Sequence, residues 1–269
     1  MRQYACTRMK APASAFSLLL LLSPSHALAG EADDRTPEQV RACIERNVPE
    51  PDNVRAIRIT TRDRAGTKRK IMVKMLGHRS DDGLRRLLIR FVEPDDLKGA
   101  GFLIIERDGP NELYLASTEF AKPRRITGSA RGGNLFGTDF TYEDFEYLQG
   151  FQVPGDTRQL EDSSFDLRPV YVVESRPEDS SYERVVSYID KESCLPLQVL
   201  SYERGGRLRK ELTTDPRWNL QHGDTWVAHE TMMRDHRDLS TTHFLVDTHE
   251  QDALLPEGIF TVEGMLDPR

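Results

Sequence analysis

Alternation of apolar and polar residues with a period of two runs through most of this chain. The first such segment, 54–61 (VRAIRITT), is followed by a turn at 62–66 and a second alternating segment at 70–76, so the two predict a β-hairpin. The same period returns later, interrupted by glycine, proline and short polar turns. Further strands are predicted at 86–92, 102–106, 112–116, 170–174, 182–190, 196–203, 207–213, 225–234 and 241–250.

These segments define the predicted fold class. About ten strands joined by short turns, without alternating strands and helices, argue against a parallel sheet and favour one antiparallel sheet that curls. Several strands are apolar on both faces, whereas an antiparallel sheet normally turns one face to water. The chain is therefore predicted to be mainly β. Two arrangements stay open, a sandwich and a curled sheet with an apolar concave side.

One amphipathic helix is predicted before the strands. Residues 36–39 (TPEQ) combine an N-cap threonine, a proline at the first helical position and a glutamine three residues after the cap. Helical spacing of apolar residues follows, and Pro49 and Pro51 end the element.

The stretch 122–148 (KPRRITGSARGGNLFGTDFTYEDFEYL) is the most distinctive in the chain. A basic start gives way to a glycine-rich run and then to aromatic residues. Thr141 and Asp144 have capping-box spacing, and Phe140 and Phe145 occupy the two positions of a hydrophobic staple. These features predict a glycine-flexible loop leading into a short aromatic helix that can open and close over a cavity. A surface loop followed by a short core helix is the alternative.

The first 29 residues have the features of a secretory signal peptide: a basic start, an apolar run at 16–22 and a small-residue cleavage site at 27–29. We expect export to the periplasm, with residues 30–269 as a single domain and no cysteine at the cleavage site for acylation. Of 37 Lys and Arg residues, three lie in this peptide, which leaves 34 against 44 Asp and Glu and a formal charge of −10. That charge argues against a nucleic-acid partner.

Two cysteines, Cys43 and Cys194, lie in the expected mature chain. Disulfides persist in oxidising compartments, so this pair could link the first helix to a strand. Two buried free thiols are the alternative, because the sequence gives no distance between them.

The sequence contains no GxSxG, HExxH, phosphate-binding loop or CxxC pattern. Four histidines recur every seven residues from His222 to His243, but an odd spacing places successive side chains on opposite faces of a strand. We therefore expect no enzyme activity, no metal and no cofactor. An exported, acidic β protein with a hinged aromatic helix suits an acyl chain, which gains roughly 0.8 kcal/mol for each buried CH₂.

The same segments resemble the LolA-like outer-membrane lipoprotein-sorting proteins, in the branch often encoded beside RND- or MMPL-type transporters. The resemblance covers nearly all of 36–262, and its most specific part is 137–144 (GTDFTYED), similar to the family's GsDFsYeD. Thr138 replaces a serine of that motif, and Ala116 replaces a proline. The other matching segments are 46–49 (RNVP), 64–66 (RAG), 88–94 (LIRFVEP), 98–101 (KGAG), 113–115 (LYL) and 124–126 (RRI).

The resemblance implies an incomplete, unclosed antiparallel β-barrel with an N-terminal helix and a short helical lid. It also implies a periplasmic carrier whose apolar cavity takes acyl chains of lipoproteins or lipids and moves them between the inner and outer membranes. We expect a monomer. The alternatives are a lipid-sensing adaptor and an accessory protein that binds an RND- or MMPL-type transporter.

Eleven apolar residues are the predicted ligand contacts, and each could equally be plain core. Arg124 and Arg125 are predicted either to hold a lipid phosphate or a transporter's acidic surface, or to pair with Asp139 and Glu143 and pin the helix shut. The pinning role is favoured. The predicted concave wall consists of Leu87, Ile89, Phe91, Phe102, Ile104, Leu113 and Leu115, and the predicted lid or rim of Phe136, Phe140, Tyr142 and Phe145.

Overall fold

The computed structural model describes residues 36–47, 52–117, 119–120 and 122–266. The predicted signal peptide at 1–29 and the prolines at 49 and 51 lie outside these residues, so the roles given to them stay predictions.

The described chain contains two α-helices and sixteen strands. The helices are α1 (Pro37–Glu45) and α2 (Tyr142–Leu148). The strands before α2 are β1 (Asn53–Arg62), β2 (Lys68–Arg79), β3 (Arg85–Glu93), β4 (Gly101–Ile105), β5 (Glu112–Ala116) and β6 (Arg124–Ile126). The strands after α2 are β7 (Gly155–Gln159), β8 (Ser163–Phe165), β9 (Arg168–Pro177), β10 (Arg184–Asp190), β11 (Pro196–Glu203), β12 (Arg207–Thr214), β13 (Leu220–His222), β14 (Thr225–Val227), β15 (Glu230–Asp235) and β16 (Ser240–Gln251).

Fourteen strands form one antiparallel sheet in the order β6-β5-β4-β3-β2-β1-β16-β15-β12-β11-β10-β9-β7, with β8 also paired to β9. The first strand pairs with the last, from Asn53 opposite Gln251 to Arg62 opposite Thr241, so β1 and β16 are neighbours in the middle of the sheet. Within the described residues, the end strands β6 and β7 do not pair with each other, and the sheet is not closed. The predicted mainly β fold with an unclosed antiparallel sheet is confirmed.

The structure has more strands than the alternation predicted. The additional ones are β6, β8, β13 and β14, which have three residues each and are too short to show a period of two, and β7, whose five residues (GDTRQ) include no apolar side chain. The predicted strand at 225–234 is two strands: β14 pairs with β13, whereas β15 pairs with β12 and β16.

The sheet curls around one main core. Apolar side chains of β1 to β5, β10 to β12, β15 and β16 belong to a single buried cluster together with those of α2. The other face of β2 to β4 is covered by the C-terminal segment, in which Ile259, Phe260 and Met265 pack with Leu88 and Leu103. Strands are therefore apolar on both faces because each face packs against a different part of the chain.

α1 begins with the predicted capping box. The Gln39 backbone N–H donates to Thr36 Oγ1 at 3.4 Å, and the Thr36 N–H donates to Gln39 Oε1 at 2.7 Å. Val40 is buried, and Cys43, one turn further on, forms a disulfide with Cys194 across a Cα–Cα distance of 5.5 Å. Of the two alternatives for the cysteines, the structure has the disulfide.

Replacing both Cys43 and Cys194 with alanine is expected to lower the free energy of unfolding by about 2–5 kcal/mol. The physical reason is that the bond joins positions 151 residues apart and so restricts the unfolded chain. Urea unfolding followed by circular dichroism measures the change. A reductant should destabilise the wild type by the same amount and leave the double variant unchanged; equal stability of oxidised and reduced wild type would contradict this account.

Candidate functional site

α2 lies against the concave side of the sheet and packs its aromatic side chains into the core. Tyr142 and Phe145 lie 5.2 Å and 6.2 Å from the ring of Phe102 on β4, measured between ring centroids. Phe140 and Phe145, the two staple residues, lie 5.3 Å apart, and both contact Phe244 of β16. The short helix therefore bridges strands that lie apart in the sheet order.

A buried lysine holds the beginning of this helix. Lys210 of β12 is 1% exposed, and its Nζ donates to the backbone carbonyl of Asp139 and to Asp144 Oδ2, the latter at 3.2 Å. Asp144 also completes the predicted capping box with Thr141 and accepts a hydrogen bond from the Tyr182 hydroxyl at 2.9 Å. A buried ion pair is stable only when its remaining hydrogen bonds are made, and this carboxylate has them.

Asp139 attaches the loop before α2 to β16. Its backbone N–H donates to Thr242 Oγ1 at 2.8 Å, and its carboxylate accepts from the hydroxyls of Thr242, at 2.7 Å, and Ser240. Gly137 has a φ of +78°, a left-handed conformation that glycine adopts without strain. The segment 137–144 thus consists largely of residues that fasten the helix to the sheet.

Glu143 is a third buried carboxylate at the same end of α2. It accepts hydrogen bonds from the Ser180 hydroxyl at 2.7 Å and from the Ser181 backbone N–H at 3.3 Å. Burial raises the pKa of Glu143, and the neighbouring charge of Asp144 acts in the same direction, while the serine hydrogen bonds act against them.

Glu146, nearly one turn further along α2, is completely buried. Its carboxylate accepts from Asn111 Nδ2 at 2.7 Å and forms a salt bridge with Arg131. Arg131 belongs to a 3₁₀ helix at Gly128–Gly132, so part of the glycine-rich run is itself regular structure and is bound to α2.

The predicted pinning of the helix by Arg124 and Arg125 is wrong. Arg125 Nη2 forms a salt bridge with Glu112 Oε1 at 3.1 Å, and the Arg124 guanidinium lies 3.8 Å from the ring centre of Phe120. Both arginines are exposed on β6 at the edge of the sheet, and their side chains contact these residues instead of Asp139 and Glu143. Lys210 holds the helix instead. Binding of a lipid phosphate or an acidic surface by the two arginines stays a prediction.

A cavity of about 140 Å³ lies beside the C-terminal half of α2. A second cavity, of about 30 Å³, shares Leu148 and Leu212 with it. Most of the larger cavity's wall is apolar, and its polar residues include Asn47, Arg55 and Gln149. Its apolar lining includes Phe140, Phe145, Leu148, Ala228, Phe244 and Val246.

Two of the eleven predicted ligand contacts, Phe140 and Phe145, line this cavity. Phe136 packs edge-on against Phe91, with 4.5 Å between ring centroids. Part of the cavity wall comes from β12, β14, β15 and β16, none of whose residues is among the predicted ligand contacts. Ligand contact by the remaining predicted residues stays a prediction. Those that lie in the main core are Leu87, Ile89, Phe91, Phe102, Ile104, Leu113, Leu115 and Tyr142.

An open antiparallel sheet curled around a short helix is the LolA-like fold, and three solved structures share it. A domain named for outer-membrane lipoprotein sorting, from Vibrio parahaemolyticus, has a TM-score of 0.75 at 23% identity, over 85% of this chain and 97% of that one. A DUF1329 family protein from Desulfovibrio piger has a TM-score of 0.75 at 19% identity, over 83% and 95%. A LolA superfamily protein from Nitrosomonas europaea has a TM-score of 0.66 at 16% identity, over 85% and 99%.

The sequence also matches a family. Residues 83–267 match the model of a family described as "-like: Uncharacterized protein", and the chain belongs to this family. No curated protein matches the chain. In the described ranges, none of the helices is both long enough and apolar enough to cross a membrane.

Lys210→Met is expected to lower the free energy of unfolding by about 3–5 kcal/mol, because it leaves the buried carboxylate of Asp144 without its cation. Denaturant unfolding measures the effect. Lys74→Met is the matched control, since Lys74 is an exposed lysine on β2, and it should change stability by no more than about 0.5 kcal/mol. Similar values for the two variants would show that Lys210 does not anchor α2.

Glu143→Gln is expected to change how stability depends on pH. Because the pKa of Glu143 in the fold lies above its ordinary value of 4.5, its stabilising contribution is full below that value and is lost as pH rises through the folded pKa. The free energy of unfolding of the variant, relative to that of the wild type, should therefore increase as pH rises from 4 to 8. Unfolding free energies measured across that range test this, and parallel profiles would contradict it.

Proposed function

We propose that this protein is a periplasmic carrier that binds an acyl chain of a lipoprotein or lipid beneath α2 and moves it between the inner and outer membranes. One observation carries the proposal: an aromatic helix covers the apolar core of an open sheet and leaves an apolar cavity of about 140 Å³ beside it. Acyl-chain binding depends on apolar area removed from water, which such a covered surface supplies without any catalytic group.

The cavity is small for this cargo while α2 is in place. A cavity of roughly 150 Å³ takes a benzene-sized molecule, and pockets for larger ligands measure roughly 300–1,000 Å³. A long acyl chain therefore requires α2 to move away from the sheet. That movement would uncover Phe102, which Tyr142 and Phe145 contact, together with its neighbours on β3 to β5. We infer that the predicted concave wall joins the site in the open state.

The free energies permit such an exchange. Moving the side chains of Phe140 and Phe145 into water costs roughly 1.5–3 kcal/mol for each. Each CH₂ group of a ligand that replaces them contributes roughly 0.8 kcal/mol. A chain of about eight carbons therefore offsets the loss of both rings, and the further carbons of a longer chain offset the polar contacts that α2 breaks as it moves.

Contacts at both ends of α2 have to break for this movement. The buried pair Lys210–Asp144 holds the N-terminal end, and in the C-terminal half the completely buried Glu146 forms a salt bridge with Arg131. Beyond Glu146, Arg85 Nη2 donates to the Gly150 carbonyl at 2.7 Å and Arg55 Nη2 to Gln149 at 3.0 Å. Exposing a buried ion pair costs several kcal/mol, more than breaking these two hydrogen bonds. We infer that opening begins at Gln149 and Gly150, beside the cavity, and reaches the buried pairs last.

Two further observations support the compartment and the cargo. The disulfide between Cys43 and Cys194 is typical of an oxidising compartment such as the periplasm. Two similar structures are named for outer-membrane lipoprotein sorting and for the LolA superfamily.

Ala228→Phe is expected to weaken binding of a fluorescent fatty acid at least about tenfold, because an added phenyl ring fills most of a benzene-sized cavity. Ala228 lines the cavity, and the contacts that anchor α2 come from other residues. Titration of delipidated protein with the probe measures the affinity. Native mass spectrometry of protein purified without detergent should also show bound lipid in the wild type and less in the variant.

Ala130→Phe is the control for this experiment. Ala130 is exposed in the 3₁₀ helix, so this substitution adds the same ring outside the cavity. It should bind the probe like the wild type. The carrier proposal fails if wild-type protein is free of lipid and does not bind the probe.

A further inference from the structure

An arginine without a carboxylate partner lies at the edge of the larger cavity. Arg55 of β1 lines that cavity, and its Nη2 donates to the neutral side chain of Gln149 at 3.0 Å. Its Nε is buried and has no hydrogen-bond partner. Within the described residues, Arg55 forms no salt bridge, and burial alone lowers its pKa, to about 10. The guanidinium is therefore charged at neutral pH but incompletely satisfied.

Two imidazoles beside Arg55 are also incompletely satisfied. His249 of β16 lies directly opposite Arg55 in the strand register, and its ring packs edge-on against His222 at 4.8 Å between centroids. Both ring nitrogens of His249 and Nε2 of His222 are buried without hydrogen-bond partners. Burial, followed by the charges of Arg55 and His222, lowers the pKa of His249 to about 4. His249 is therefore neutral at pH 7 and offers one N–H donor.

Buried polar atoms are nearly always hydrogen-bonded in folded proteins. Four such atoms without partners, grouped on Arg55, His249 and His222, indicate a place prepared for a ligand atom. The missing partner must accept hydrogen bonds and compensate a positive charge, which a carboxylate or phosphate oxygen does. Gln149 occupies only one of the donors of Arg55, so an anion can reach the remaining ones without displacing it.

We propose that Arg55, His249 and His222 form a binding site for the anionic group of an amphiphile, a carboxylate or a phosphate, whose apolar chain extends into the cavity. The inference rests on the proposed function and adds the chemical class and the orientation of the ligand. The strand carrying His249 also carries Val246 and Phe244, which line the cavity. The anionic group thus lies at Arg55, and the chain runs along β16 towards the underside of α2.

Four probes test this on the wild-type protein: decanoate, decyl phosphate, decan-1-ol and inorganic phosphate. Isothermal titration should show that decanoate, decyl phosphate or both bind at least about tenfold more tightly than the alcohol, as expected for a charge-assisted hydrogen bond in a partly buried site. Competition by inorganic phosphate would assign the site to a free anion, whereas its failure to compete assigns the site to a headgroup attached to a chain.

Variants then identify the residue responsible. Arg55→Gln should reduce the preference for the anion to less than about threefold, and Arg55→Lys should restore part of it because the charge returns. Arg58→Gln is the control: it removes one arginine from the same strand, but Arg58 is exposed and paired with Asp247. An NMR titration should show the pKa of His249 rising when decanoate binds, since an anion favours the protonated ring.

The outcomes separate this inference from the proposed function. Equal affinities for decanoate, decyl phosphate and decanol would overturn the anionic site and leave an acyl carrier. Binding of none of the three would overturn both. A preference for the anions that Arg55→Gln leaves intact, with no change in the pKa of His249, would place the headgroup elsewhere and overturn the assignment.

Discussion

The buried ion pair between Lys210 and Asp144, at the start of α2, is the interaction on which the rest of this site depends. A charge removed from water is stable only where acceptors surround it, and here they come from Asp139 and Asp144. Because Lys210 belongs to β12 and its acceptors to the start of α2, the ion pair fixes where the helix meets the sheet. The aromatic rings of α2 can then pack in one arrangement, and the cavity forms beside the end of the helix that the lysine does not reach.

The two ends of α2 have different surroundings. The N-terminal end is held by buried carboxylates, each with its hydrogen bonds made. The C-terminal end meets the cavity, at whose edge Arg55 and the adjoining His249 have buried atoms without partners. Buried ion pairs hold the helix at Asp144 and Glu146, whereas the unsatisfied polar atoms lie beyond its last turn.

The sequence predicted local features well because their causes are local. Both capping boxes, the staple of Phe140 and Phe145, and the hairpin of β1 and β2 depend on residues a few positions apart. The partners of Arg124 and Arg125 were predicted wrongly because nearness along the chain was taken for nearness in space. The anchor, Lys210, lies 66 positions from Asp144. A signal for it exists: Lys210 stands two residues before Leu212, on the buried face of β12.

By itself, the sequence determined the fold class, the beginnings of both helices and the region where an aromatic helix would form, since periodicity and capping act over a few residues. Only the tertiary structure decided which faces of the strands are covered and by what, which lysine anchors α2, and that the cavity lies against β12, β15 and β16 instead of β3 to β5. Those outcomes depend on strand order and on buried charges from distant segments meeting out of water. The free energy of such contacts depends on the groups that surround them in space, and these groups cannot be identified from the spacing of residues along the chain.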